Sequence, residues 1–260
     1  MPATLKDALR TGRVVRVFAL GQLCSPKFVE MIALVGGFDA VWLDMEHTGL
    51  SIAAVEEGTR AGRAAGIDTF VRLPVTNYAS VMQVLEAGAS GFMASMVRRL
   101  DEVENLVRWA RFFPEGERGI NGSGVDGQFG MLPMADYFRR ANERTLVGAQ
   151  IEHKDAVEVI EKIAAVPGVD FLFIGPADLS QTLGIPGQWD HPALWAAIER
   201  VAKACQKSDV PWGILPFSPE FAQRCVDLGC RMLSIGMDVW ALQRGVKDFQ
   251  AQYEKFFASR

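Results

Sequence analysis

Histidine and cysteine are scarce in this sequence, three and four residues in 260, and none stands in a CxxC pair or a Cys/His cluster of zinc spacing. Zinc of the structural kind therefore has no signature, and Cys24, Cys205, Cys225 and Cys230 read as buried free thiols in a reducing compartment. No apolar run reaches the length of a membrane span, and the opening MPATLKDALRTGR is polar and helix-like, without an apolar signal region. A net charge of -4 gives no basic footprint for nucleic acid or an anionic membrane surface. These absences set the expectation of a cytoplasmic protein with neither nucleic acid nor membrane as partner.

What is present is apolar material in short, regularly spaced runs. Hydrophobic residues make up 49% and charged residues 22%, enough for a sizeable core. Eight runs rich in β-branched residues or Phe recur: Val14 to Leu20, Ala40 to Leu43, Thr69 to Val71, Gly91 to Met93, Leu146 to Ile151, Phe171 to Ile174, Trp212 to Leu215 and Met232 to Ile235. Amphipathic stretches alternate with them, near 26–36, 51–66, 78–88, 101–113, 154–165, 192–208, 219–229 and 239–257. Strict alternation predicts a parallel sheet, and eight units in about 250 residues predict an α/β fold of the (β/α)8 TIM barrel type, a single domain over 1–260. An open doubly wound sheet competes, but no GxGxxG follows the first strand. GGFDAVWLD, VPGVDFLFIG and DLGCRMLSIG repeat one plan, a helix stopped at Gly and then a buried strand. One connection breaks the rhythm. PEGERGINGSGVDGQFGMLP, before a short helix at 134–143, is either a floppy insertion or a lid or oligomer contact over the barrel mouth.

In a barrel, chemistry sits at the C-terminal ends of the strands. Those ends offer Asp44, Glu46 and His47 from LDMEHTG, Arg72 from FVRLP, Gln150 and Glu152 from strand five, and Asp178 after strand six. Carboxylates with few His and no Cys favour a hard divalent cation such as Mg2+ or Mn2+, which a chelating 2-oxo acid could share. Arg72 suits a carboxylate or a developing enolate oxygen; an ion pair to Glu152 or Asp44 is the structural alternative. Imidazole titrates near neutral pH, so His47 is the natural base against the alternative of a cap, and Asp44 could orient it. By strand alternation Glu46 faces away from His47, and its role stays open. His153 and His191 read as structural, and Asp238 as a cap of the last helix.

Further absences narrow the chemistry. No lysine stands at a strand end except Lys154 in a solvated helix start, which argues against a Schiff base. PFSPE and GMDVW follow strands seven and eight where a phosphate grip would be glycine-rich.

GFDAVWLDMEH, VRLP, VLEAG, the RG of GERG, QIE, the long VPGVDFLFIGPADLSQTLGIPG and WGIL together resemble the HpcH/HpaI family of metal-dependent pyruvate aldolases over nearly the whole chain. The resemblance implies a barrel of the phosphoenolpyruvate/pyruvate-domain type and a lyase that reversibly cleaves a 4-hydroxy-2-oxo acid to pyruvate and an aldehyde through a metal-stabilised enolate. It implies Glu152 and Asp178 as ligands of Mg2+, Mn2+ or Co2+, His47 as base through a water, Arg72 at the enolate, and Gln150, Gly175, Pro176, Ala177 and Asp178 toward substrate. Glu86 of VLEAG would raise the basicity of a histidine across a subunit boundary, where the family more often has Asp. A homo-oligomer, hexamer or trimer, with the 239–257 helix exchanged is implied as well. Ala94-Ser95 stands in place of a valine-proline step, and LGQLCSPKF lacks the Ser run and tryptophan of some members. Two alternatives stay beside the aldolase: oxaloacetate decarboxylation or macrophomate-synthase-like enolate chemistry, and an inactive ligand-binding barrel.

Overall fold

The computed structural model describes residues 4–74 and 77–257; residues 1–3 of the polar start and 258–260 of the single-domain span lie outside them. Eight parallel strands close in sequence order into one barrel. They are β1 (Val15–Leu20), β2 (Ala40–Asp44), β3 (Asp68–Pro74), β4 (Gly91–Ser95), β5 (Leu146–Ile151), β6 (Phe171–Ile174), β7 (Trp212–Ile214) and β8 (Met232–Met237). Each lies on one of the expected runs. Helices begin where a polar side chain can accept an unpaired N–H: Ser25, Ser51, Asn77 and Ser218 each do so three residues ahead of their partner. The stretch expected as one helix at 154–165 is two, Lys154–Glu158 and Ile160–Ala164, divided at Val159. His153 and His191 accept from Asp155 N and Ala193 N at helix starts, the structural role expected of them.

Strand alternation sorts the core into two bodies. Val15, Val17, Ala40, Trp42, Phe70, Met93, Leu146, Phe171, Phe173 and Met232 pack together inside the barrel. Their sequence neighbours Phe18, Val41, Val71, Phe92, Val147, Leu172 and Ile174 pack outward under the helices. Continuing the inner register along each strand reaches Asp44 on β2, Arg72 on β3, Gln150 and Glu152 at the end of β5, and Gly175 after β6. One face of the barrel interior thus ends in polar groups without any further rule.

The opposite end is closed by the helix Leu5–Arg10, whose Leu5 and Leu9 join the interior cluster. Lys6 Nζ lies 2.9 Å from Asp170 Oδ1 and Arg111 Nη2 lies 2.7 Å from Asp170 Oδ2. Both cations also donate to the Thr145 carbonyl, at 3.1 and 2.8 Å. Asp170 is the carboxylate that compensates two buried charges.

The glycine-rich connection is not a lid over this barrel's own mouth. It runs along the helix Tyr78–Glu86: Gly119 N–H donates to Tyr78 Oη at 2.6 Å, and Asn121 Nδ2 to Glu86 Oε2 at 2.9 Å. Arg118 and Asp126 clip the segment to itself at 2.6 Å, under Tyr137. Helices return antiparallel to the strands, so Glu86 lies toward the barrel end away from His47. Cys205, Cys225 and Cys230 are buried free thiols as expected, whereas Cys24 is only partly buried.

Asp170→Ala is expected to leave Lys6 and Arg111 buried without a counter-charge and to cost about 3–5 kcal/mol. Urea unfolding checks this, and a change within 1 kcal/mol would show the network to be dispensable.

Candidate active site

Asp44 and Arg72 are direct partners in the register of β2 and β3. Adjacent strands thereby hold a bidentate pair, Nε to Oδ1 at 2.9 Å and Nη2 to Oδ2 at 2.6 Å. The guanidinium lies over the Trp42 ring, 4.6 Å from its centroid, and Trp42 Nε1 donates to Ser234 Oγ at 3.0 Å. Burial acts to raise the Asp44 carboxyl, but Arg72 and the N–H groups of Glu46 and His47 outweigh it and hold the pKa below the ordinary value. This pair is one of the two structural alternatives open for Arg72, and it leaves Nη1 facing Glu46, 3.3 Å away.

The expectation that Asp44 orients the His47 imidazole is corrected here. Asp44 reaches only the His47 backbone N–H, at 3.4 Å, whereas imidazole Nε2 lies 3.4 Å from Glu46 Oε2. That carboxylate is also 3.3 Å from Arg72 Nη1. The chain leaves strand geometry after Asp44, so the alternation that pointed Glu46 away from His47 no longer applies. Glu46 is the residue that sequence reasoning left without a role. The imidazole itself is open, 62% exposed, with Gln22 Nε2 donating to the His47 carbonyl at 3.2 Å.

Asp238 does more than serve the last helix. Buried completely, it accepts from Val239 N at 2.8 Å and also from Gly21 N at 2.8 Å and Leu23 N at 2.7 Å. It therefore pins the segment after β1, which carries Gln22, to the start of the helix Asp238–Gln252.

Glu152 is 1% exposed. Its Oε1 accepts from the Met96 N–H at 2.6 Å and its Oε2 from Gln150 Nε2 at 2.5 Å. Met96 adopts φ +55, a left-handed conformation that few non-glycine residues take, just after β4. Only its backbone N–H enters the site, so no side-chain signal could have announced it. Gly175 is equally specific: a Cβ there would collide with Glu152 Oε2 and come within 2.7 Å of Gln150 Nε2. Pro176 and Asp178 start the helix Pro176–Thr182; Pro176 is buried, Asp178 half-buried and Ala177 exposed.

Burial pushes the Glu152 carboxyl up to about 8, against the Met96 N–H and with help from the negative charges of Glu46 and Asp178. Gln150 Oε1 and Glu46 Oε2 are shielded from solvent and have no hydrogen-bond partner. Among the described residues no three His, Cys, Asp or Glu side chains converge as a closed metal cluster. The donor chemistry is instead an open oxygen set, two carboxylates with the unpartnered Gln150 Oε1 and the Glu46 carboxylate nearby. A hard divalent cation that keeps positions for water or substrate fits that set. Glu86, held by Asn121, does not meet His47 within the chain.

The family model for HpcH/HpaI aldolase/citrate lyase matches residues 17–244. This chain belongs to the HpcH/HpaI aldolase/citrate lyase family. A 4-hydroxy-2-oxo-heptane-1,7-dioate aldolase of Klebsiella pneumoniae is 33% identical over 253 residues, covering 97% of this chain and 94% of that protein. A hydroxypyruvate/pyruvate aldolase of Roseobacter denitrificans is 31% identical over 258 residues, 98% and 100% of the two chains. The crystal structure of an HpcH/HpaI aldolase from Desulfitobacterium hafniense superposes with a TM-score of 0.89 at 34% identity, covering 96% and 97%. The barrel and the family expected from the sequence are thereby shown for this HpcH/HpaI chain.

A carboxyl raised from 4.5 to about 8 binds its proton more tightly folded than unfolded. Its stabilising contribution is intact at pH below 4.5 and is lost as pH rises through 8. In chelator-treated protein, Glu152→Gln is therefore expected to unfold at a higher temperature than wild type above about pH 8, with the gap closing toward about pH 5. Parallel melting curves across that range would remove the buried-carboxyl account.

Proposed function

We propose that the chain is a class II aldolase that reversibly cleaves a 4-hydroxy-2-oxo acid into pyruvate and an aldehyde. The observation that carries this reading is the buried, under-neutralised Glu152 carboxyl at the same rim as Asp178, Gln150, Arg72 and His47. Glu152 and Asp178 would hold a divalent cation, of which Mg2+, Mn2+ and Co2+ all suit carboxylate oxygen, and the cation when bound would polarise the 2-oxo group as a Lewis acid.

The remaining steps belong to the side chains. His47, directly or through a water, takes the proton of the 4-hydroxyl; the bond between carbons 3 and 4 breaks, and its electron pair moves toward the 2-oxo oxygen. Arg72, already fixed by Asp44 and Trp42, presents a charge that cannot deprotonate to the oxygen on which negative charge develops. Gln150, with the N-terminal turn at Gly175, Pro176 and Ala177, orients the acid, and carbon 3 is protonated to the pyruvate methyl group. Asp44 serves this step by holding Arg72, and Glu86 of a neighbouring copy would serve His47.

The last point requires a homo-oligomer. The helix Asp238–Gln252 and the turn after it expose Trp240, Leu242, Val246, Phe249, Tyr253, Phe256 and Phe257, an apolar face suited to exchange with another copy, as a hexamer or trimer. A reducing cytoplasm suits the four free thiols. Among the described residues no helix is long and apolar enough to cross a membrane.

Hydrogen exchange from the pyruvate methyl group into D2O, followed with each of the three cations, tests the reaction. Wild type is expected to exchange, with Arg72→Ala slower by about 10²–10³-fold and His47→Ala at background. Wild-type exchange no faster than His47→Ala would sink the mechanism. Gly175→Ala, which crowds Glu152 without demanding a new backbone conformation, should weaken cation affinity by about 10–100-fold as read by calorimetry. Unchanged affinity would detach Glu152 from the cation.

A further inference from the structure

A second cleft, of about 480 Å³, opens at the other end of the barrel, beside Asp68, Ser90 and Thr145 at the starts of β3, β4 and β5. Four arginines from three separate segments line it: Arg63 on the helix Ile52–Ala65, Arg118 on the glycine-rich segment, and Arg140 and Arg144 on the helix Met134–Arg144. Three carboxylates share the wall, and each is engaged. Arg13 and Arg16 meet Asp39 at 2.9 and 3.3 Å, Arg118 meets Asp126 at 2.6 Å, and Asp68, its carboxyl raised by burial, accepts the Leu5 N–H and feels the charge of Arg144. Arg140 pairs with no carboxylate among the described residues. The Arg118 side chain is 1% exposed, yet its Nε is shielded from solvent with no hydrogen-bond partner. Gly88, at φ +91, keeps the lining open: a Cβ there would collide with Arg63 Nη1 and lie 2.6 Å from Val125 Cγ1.

We propose that this cleft binds a small multivalent oxyanion, a phosphate ester or a di- or tricarboxylate, between Arg63, Arg118 and Arg140. Planar guanidinium groups pair in bidentate fashion with phosphate and carboxylate, and Arg63 and Arg140 face a wall whose carboxylates are engaged by Arg13, Arg16, Arg118 and the Leu5 N–H. The volume is that of a metabolite-sized site. Barrel chemistry belongs to the opposite rim, so the occupant is a second ligand and not the substrate of that rim. Arg118, Val125, Asp126 and Gln128 reach the cleft from the glycine-rich segment, and Arg63 and Asp68 from the barrel. An occupant therefore ties the segment, and with it the Asn121 that holds Glu86, to the barrel base.

Calorimetric titration of the purified protein with inorganic pyrophosphate and, separately, citrate tests the site, comparing wild type with Arg63→Gln/Arg140→Gln. Saturable binding at least ~10-fold weaker in the double variant is expected. Slowed hydrogen exchange in residues 118–128 of the loaded wild type is expected alongside it. Any binding at a cation on the rim is common to both proteins and cancels in the comparison. Pyrophosphate alone would mark a phosphate site, citrate alone a carboxylate site. Failure of both probes to saturate, or equal binding by the double variant, would overturn the proposal. Should the double variant not fold, Arg140→Ala, a partly exposed position, carries the same comparison.

Discussion

A single carboxyl with nowhere to discharge organises the mouth of this barrel. Glu152 stands at the end of β5, almost fully buried, and its protein partners are a backbone N–H and an amide, neither of which carries charge. Burial of an unpaired carboxylate is costly, and the group answers by holding its proton to about 8. The left-handed turn at Met96 and the absence of a side chain at Gly175 both exist in geometric relation to that carboxyl.

Asp44 and Arg72 solve the complementary problem. Two charges at the same rim are buried together, but here adjacent strands in fixed register deliver a bidentate pair resting on an indole ring. Such a pair contributes little net stability after desolvation; its value lies in holding a cation in one place. At this rim Asp44 is met by a charged partner, whereas the hydrogen-bond partners of Glu152 are uncharged. That asymmetry separates a positioning acid from a candidate ligand.

Charge is handled differently at the far end. Asp170 neutralises Lys6 and Arg111 under the barrel floor, a closed network with a structural purpose. The neighbouring arginine-lined cleft is not closed in this way, since Arg140 meets no carboxylate among the described residues and Arg118 Nε has no hydrogen-bond partner. The barrel therefore has two polar ends of opposite character, one rich in carboxylate and one rich in arginine, with an apolar interior between them.

The sequence by itself determined the barrel, because strand alternation with period two and helical periodicity are local properties that repeat eight times. It also named Asp44, Arg72, Gln150, Glu152 and Asp178 as rim residues, since position on a strand end is legible from where an apolar run stops. Contacts made after the chain leaves a strand were beyond it. Glu46 turned toward His47 and Arg72 because alternation ends at Asp44, Met96 acts through its backbone alone, and the glycine-rich segment lay along a helix instead of over the mouth. Which rim carboxyl is neutralised is likewise a tertiary matter. Asp44 and Glu152 are the same kind of group at the same kind of position, and only the register that sets Arg72 beside one of them makes them different.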